Sequence, residues 1–137
     1  MNDTNAATSN KGLSVVTLHL ARCPEFPEGS ASRGYRIIAP LDSAGRIDSA
    51  AWHDRRERCI VNRFWDSEPG KSGHLVHKAG GAGGATWGFD YPGSGSDEVG
   101  KHLEDHRFTP GEYVSIRGGN DEWMTFKVED VRPVAAT

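Results

Sequence analysis

The sequence predicts a mainly β fold: a single small β-barrel, or a strongly bent antiparallel sheet, of about seven or eight strands with one short helix near residues 49–57. Composition supports this, because apolar residues make up only 36% of the chain and 17 of its 137 residues are glycine, against a usual glycine share of about 7%. Several short segments alternate between apolar and polar side chains with the period of a strand. Closure into a barrel removes the unpaired edges that so many short strands otherwise leave.

The length of 137 residues fits one domain. We expect a disordered tail at 1–12, a β-rich domain at 13–132 and a C-terminal tail at 133–137. A net charge of −3 argues against a nucleic acid or an anionic membrane as the partner. The start of the chain has no signal-peptide pattern, and no segment approaches the roughly 20 apolar residues that span a bilayer. We therefore expect a cytoplasmic protein.

The first half of the chain predicts two strands separated by a loop. The run LSVVTLHLA alternates so that Val16, Leu18 and Leu20 share one face. The prolines and the glycine of CPEFPEGSASRG predict a loop. The run GYRIIAPL then predicts a second strand, with Tyr35 and Ile37 on one face.

A short helix and two hairpins follow. Asp48 or Ser49 can cap a two-turn helix, which must end before the β-branched, strand-forming run CIVNRFW. Residues 66–73 predict a turn. GHLVHK and ATWGFDY predict a hairpin around the glycine-rich loop 79–84, and EYVSIR and EWMTFKV predict another around 118–121.

Aromatic side chains indicate a candidate binding surface. Trp87, Phe89 and Tyr91 form a stripe on one strand face, and Tyr113 and Trp123 are expected to pair across the second hairpin on its outer face. One set must be core, and the other forms an exposed apolar patch if nothing covers it. We therefore expect a non-enzymatic binding module without a cofactor, a monomer or weak homodimer whose protein or small-molecule ligand contacts these five side chains.

A first alternative is a metal-binding domain or a metal-dependent enzyme. His102 and His106 are four residues apart, which places both imidazoles on one face if a helical turn forms there. Asp97 and Glu98 are close enough in sequence to supply a carboxylate ligand for a divalent metal. The competing interpretation is a solvated acidic loop with ordinary histidines.

A second alternative is a small barrel that binds nucleic acid. Arg55, Arg56, Arg58 and Arg63 alternate with aromatic residues, and guanidinium groups beside aromatic rings are used to bind single strands. Asp54 and Glu57 dilute this basic run, which weakens the pattern.

The two cysteines are candidates for a disulfide or for reactivity. One disulfide between Cys23 and Cys59 is possible, but two reduced thiols are more common in an intracellular chain. Cys23 precedes a proline at a strand end, where exposure is expected, whereas Cys59 begins an apolar strand and is expected to be buried and inert.

The stretch FTPGEYVSIRGGNDEWMTFKVEDV resembles the hairpins of small SH3-like and sortase-like barrels, in which a Gly-Glu-x-Val step starts a strand. The set GHLVHK, TWGFDY and PGEYVSI resembles small bacterial proteins of uncharacterised function. These resemblances imply a barrel and carry no functional residues with them.

Overall fold

The computed structural model describes residues 12–81, 84–92, 98–100, 106–117 and 123–134, with the backbone alone for 78–81, 84–86 and 98–100. Its helical segments are α1 (Ser49–Arg55) and a 3₁₀ turn (Arg56–Arg58). No helix among the described residues has the length and apolar character needed to cross a membrane. The strands are β1 (Leu13–Leu20), β2 (Ser30–Pro40), β3 (Ile60–Trp65), β4 (Glu68–Gly81), β5 (Gly84–Asp90), β6 (Glu98–Gly100), β7 (Tyr113–Arg117) and β8 (Trp123–Pro133).

The eight strands form a closed barrel in chain order. Each strand is antiparallel to the next, and β8 returns to pair with β1, so that Leu18 lies opposite both Tyr35 of β2 and Val128 of β8. The shortest strand is β6, and its described pairing with β7 consists of Val99 with Arg117 and Gly100 with Ile116. The predicted fold class, a mainly β antiparallel barrel with a short helix, is confirmed.

The barrel interior is filled by the apolar faces of the strands. The face predicted for β1 is buried, and Tyr35 of β2 lies between two interior rings, its centroid 5.2 Å from Phe89 and 5.1 Å from Phe126. Such contacts give protein cores their dense packing. The largest side chains that are less than 2% exposed are Trp87, Tyr35, Phe89, Phe126, Leu13, Leu18, Leu75, Ile116, Val16, Val61 and Val114.

Helix α1 begins where the sequence predicts. The carboxylate of Asp48 accepts a hydrogen bond from the amide of Ala51 at 3.1 Å, which identifies Asp48 as the N-cap. The indole Nε1 of Trp52 donates to the carbonyl of Leu75 at 2.9 Å, and the Trp52 ring lies 5.3 Å from that of Trp87. The helix is therefore attached to the barrel by one buried tryptophan.

The turn predicted at 66–73 is much shorter in the structure. Only Asp66 and Ser67 separate β3 from β4, and Ser67 has a φ of 71°, the left-handed conformation that two-residue hairpin turns use. Residues 68–72 belong to β4 but are exposed. Their polar sequence therefore lacks the apolar alternation from which a strand is recognised.

The last strand, β8, extends past the predicted start of the C-terminal tail. The predicted tail at 133–137 begins inside β8, which reaches Pro133, and the amide of Val134 donates to the carbonyl of Leu13 at 2.9 Å. Residues 1–11, which make up nearly all of the predicted N-terminal tail, lie outside the described residues.

Gly34 allows β1 and β2 to approach closely at an irregularity in their pairing. A Cβ atom at Gly34 would lie 1.9 Å from the carbonyl oxygen of Leu18 and 3.1 Å from the ring of Phe64. Phe64 stands directly opposite Gly34 on β3, so its ring covers the space that a side chain would otherwise fill. The position excludes every residue except glycine unless the backbone moves.

Replacing Gly34 with alanine should destabilise the barrel, because the added Cβ would overlap the backbone carbonyl of Leu18 and force the two strands apart. We expect Gly34→Ala to lower the free energy of unfolding by about 3 kcal/mol, the upper part of the range for overpacked sites. The matched control is Gly70→Ala, since a Cβ at Gly70 would have its nearest neighbour at 3.5 Å, an ordinary contact.

Urea unfolding of both variants measures the difference. The control should stay within about 0.5 kcal/mol of the unmodified chain, as exposed substitutions usually do. Equal stabilities for the two variants would contradict the close approach of β1 and β2.

Candidate functional site

The five aromatic residues of the predicted binding surface lie on opposite sides of the barrel wall. Trp87, Phe89 and Tyr91 are 1%, 0% and 4% exposed and belong to the core, whereas Tyr113 and Trp123 are 53% and 48% exposed. The prediction that all five contact one ligand is therefore wrong. Alternation shows that Trp87 and Phe89 of β5 share a face with Tyr91, which follows the strand, but it does not show which face is inside.

The two exposed rings do not form the expected cross-strand pair. In the register of β7 and β8, Tyr113 stands opposite Lys127 and Trp123 stands opposite Arg117. The rings are thus four residues apart along the ladder, about 14 Å. The turn length sets this register, and alternation alone leaves it open.

The outward side chains of β7 and β8 form a continuous surface, which we call the β7–β8 outer face. On β7, the outward residues alternate with Val114 and Ile116, each 1% exposed, and on β8 they alternate with Phe126 and Val128. In the middle of the face, Ser115 stands opposite Thr125. The six residues of the face are Tyr113, Ser115, Arg117, Trp123, Thr125 and Lys127.

Each end of this face combines a ring with a cation. The guanidinium of Arg117 lies 5.8 Å from the centre of the Trp123 ring, within the range of a cation–π interaction. At the other end, Lys127 is the direct neighbour of Tyr113. Because the rings are half exposed, their apolar surface remains available to a ligand.

A polar groove adjoins the Tyr113 end of the face. Its volume is about 480 Å³. Two cationic and two carboxylate side chains line it, together with Tyr113, Thr125 and three uncharged residues at 20, 21 and 29. The sequence did not indicate that residues 21–29 form one side of this groove, because a proline-rich loop has no alternation of apolar and polar residues from which its position can be predicted. The lining residues are Leu20, Ala21, Arg22, Glu28, Gly29, Tyr113, Thr125, Lys127 and Glu129.

The four arginines of the nucleic-acid hypothesis do not share one outward surface. Arg55 lies on α1, while Arg56 and Arg58 are exposed on the following 3₁₀ turn. Arg63 stands opposite the buried Tyr35, and its side chain is only 14% exposed. The arginine nearest to the aromatic run in sequence thus points away from the surface that a strand of nucleic acid would contact.

Arg63 instead belongs to a layer of arginines and rings at one end of the barrel. Its guanidinium lies 4.4 Å from the Trp65 ring centre, and Nη1 is 3.1 Å from a carboxylate oxygen of Glu68. Arg33, which the sequence did not single out, lies 4.2 Å from the ring of Phe26. These contacts let guanidinium groups cover apolar core while their charges remain paired.

The proposed metal ligands lie mostly beyond the described residues. His102 and Asp97 lie outside them, and Glu98 begins β6, a strand rather than the expected helical turn. His106 is half-buried in the segment before Phe108. Among the residues that the structure describes, no three histidine, cysteine, aspartate or glutamate side chains converge on one point.

Both cysteines are free thiols in the structure. Cys23 is half-buried near a loop, and Cys59 is fully buried with its thiol 3.5 Å from the carbonyl of Arg55. Burial raises the pKa of the Cys59 thiol from 9.0 to about 11, and the charge of Arg55 opposes this only in part. The prediction that Cys59 is buried is confirmed.

Comparisons of the chain with family models, with curated proteins and with solved structures find no match. The candidate site therefore depends on geometry and residue chemistry.

The Cys59 thiol should make the barrel less stable at alkaline pH. Its raised pKa means that the folded chain keeps a proton that the unfolded chain loses, so its contribution is complete below pH 9 and disappears as the pH rises to about 11. A shift from 9.0 to about 11 corresponds to roughly 2–3 kcal/mol.

Urea unfolding under reducing conditions at several pH values from 8 to 11 tests this contribution. The stability advantage of the unmodified chain over Cys59→Ala should shrink by about this amount across the range. Cys23→Ala, the matched control, should follow the unmodified chain. A constant difference between Cys59→Ala and the unmodified chain would contradict the effect of burial.

Proposed function

We propose that this chain is a protein-binding module and that its partner docks on the β7–β8 outer face. One observation carries the proposal: Tyr113 and Trp123, the exposed large apolar side chains of the described residues, lie on the same face at 53% and 48% exposure. The exposed half of each ring is apolar surface in contact with water. A partner that covers the rings removes this surface from water, which stabilises the complex.

The residue types of this face are those that dominate binding energy at protein interfaces. Tyrosine, tryptophan and arginine are enriched among the side chains whose truncation costs most. The two aromatic residues bring large contact areas with few rotatable bonds, and the planar guanidinium of arginine adds directed hydrogen bonds. Here Tyr113, Trp123 and Arg117 occupy a regular ladder, which fixes their spacing before a partner arrives. Such preorganisation lowers the entropy cost of association.

The adjoining groove supplies a polar border to these anchors. Arg22 and Lys127 offer positive charge, and Glu28 and Glu129 offer negative charge along its lining. A border with both signs of charge sets orientation and discriminates between partners more than it adds affinity. The central Ser115 and Thr125 hydroxyls can both donate and accept hydrogen bonds to the partner.

Site-specific photo-crosslinking in the native cell extract tests the proposal. A photoreactive phenylalanine derivative in place of Thr125 should capture a discrete protein. Adding Tyr113→Ala and Trp123→Ala should abolish the capture, since each anchor contributes about 2 kcal/mol, or roughly 30-fold in Kd.

The matched control carries the same photoreactive group in place of His74, an exposed residue on the outside of β4. Its capture pattern should be unaffected by the two alanine substitutions. Capture from the Thr125 position that persists in the alanine variant would overturn the proposed docking face, as would identical patterns from the two positions.

A further inference from the structure

The two strands of the outer face carry the same pattern of side chains. Tyr-Val-Ser-Ile-Arg at 113–117 and Trp-Met-Thr-Phe-Lys at 123–127 match in type at every position: aromatic, apolar, hydroxyl, apolar and cation. The apolar positions face the barrel interior, and the other three face outward. Each strand therefore contributes one aromatic, one hydroxyl and one cationic side chain to the β7–β8 outer face.

The antiparallel register turns this repeat into a local two-fold symmetry. Because Ser115 lies opposite Thr125, a half-turn about the line between them, perpendicular to the sheet, exchanges β7 with β8. The same half-turn exchanges Tyr113 with Trp123, and it exchanges Arg117 with Lys127. Each aromatic residue therefore has a cation directly across the ladder, once at each end of the face.

We propose that the partner bound by this face is a second copy of the chain, joined by its own β7–β8 outer face in a two-fold symmetric dimer. This inference rests on the proposed docking face. Turning a second copy over about an axis parallel to the strands places its Lys127 opposite Tyr113 and its Arg117 opposite Trp123. All four ring–cation contacts then form at once, and the central hydroxyls meet one another.

This match between the rings of one copy and the cations of the other favours a second copy of the chain over an unrelated protein as the partner. A two-fold symmetric interface must be self-complementary, because the same patch serves both subunits. Cations attract the faces of aromatic rings, most strongly for tryptophan, and here each contact joins a ring of one copy to a cation of the other. The net charge of −3 is small, so overall repulsion between copies opposes this contact only weakly.

The size of the face sets the strength of the dimer. A stable interface usually involves about 20–30 residues on each side, whereas the face has six outward residues on the curved exterior of a barrel. The dimer is therefore weak and reversible, and it dissociates on dilution. Screening by salt weakens its cation–ring contacts further.

Analytical ultracentrifugation of the full chain, with two complementary double variants, tests the inference. The unmodified chain should show a mass that rises towards that of a dimer with concentration. Tyr113→Arg with Trp123→Arg places cations opposite the second copy's Arg117 and Lys127. Arg117→Glu with Lys127→Glu places carboxylates against the negative faces of the second copy's rings. Each variant alone should associate at least about 30-fold more weakly than the unmodified chain.

An equimolar mixture of the two double variants should restore the dimer, because the introduced arginines then face the introduced glutamates. Restoration also shows that both variants fold. His74→Arg, a charge change outside the face, should leave association unchanged. An unmodified chain that remains monomeric at every concentration, or a mixture that fails to associate, overturns the second-copy partner.

The two proposals fail in different ways. If the chain is monomeric but the Thr125 crosslink captures a different protein through Tyr113 and Trp123, the docking face stands and its symmetric use is wrong. If neither association nor capture depends on these rings, the docking face itself is wrong.

Discussion

The pairing of β1 with both β2 and β8 is the constraint on which the structure depends. The other strands pair in chain order, so the pairing of Leu18 with both Tyr35 and Val128 closes the sheet into a barrel. Successive side chains along each strand then face alternately the core and the solvent. The buried rings of Phe89 and Phe126 then pack against Tyr35 in this interior. The same closure leaves Tyr113 and Trp123 outside, on a ladder that holds them about 14 Å apart.

Closure also explains the irregular positions of the chain. Strands that curve around a small barrel approach each other too closely for a side chain at certain points, and Gly34 and Gly73 lie where an added Cβ would meet a neighbouring carbonyl. At one end, the guanidinium groups of the inward-facing Arg33 and Arg63 lie over the rings of Phe26 and Trp65, respectively. Both guanidinium groups pair there with exposed carboxylates, Arg33 with Asp66 and Arg63 with Glu68.

The sequence predicts the strands of this barrel better than it predicts its surface. Alternation assigns Val16 and Ile116 to buried faces, and Asp48 is a recognisable helix cap. It also places Trp123 on an outer face, but it leaves open whether Trp87 lies inside, because that depends on the direction in which the sheet curls. Register depends on turn geometry, so the opposition of Tyr113 and Lys127 appears only once the strands are paired.

Indole NMR signals give the most direct test of this division between inside and outside. The chain has four tryptophans, and each contributes one indole N–H resonance that substitution can assign. A soluble paramagnetic agent should broaden the resonance of Trp123, which is 48% exposed, while the resonances of Trp52 and Trp87, at 8% and 1%, remain sharp. Broadening of Trp87 as strong as that of Trp123, or protection of Trp123 in the monomer at high dilution, would contradict the account.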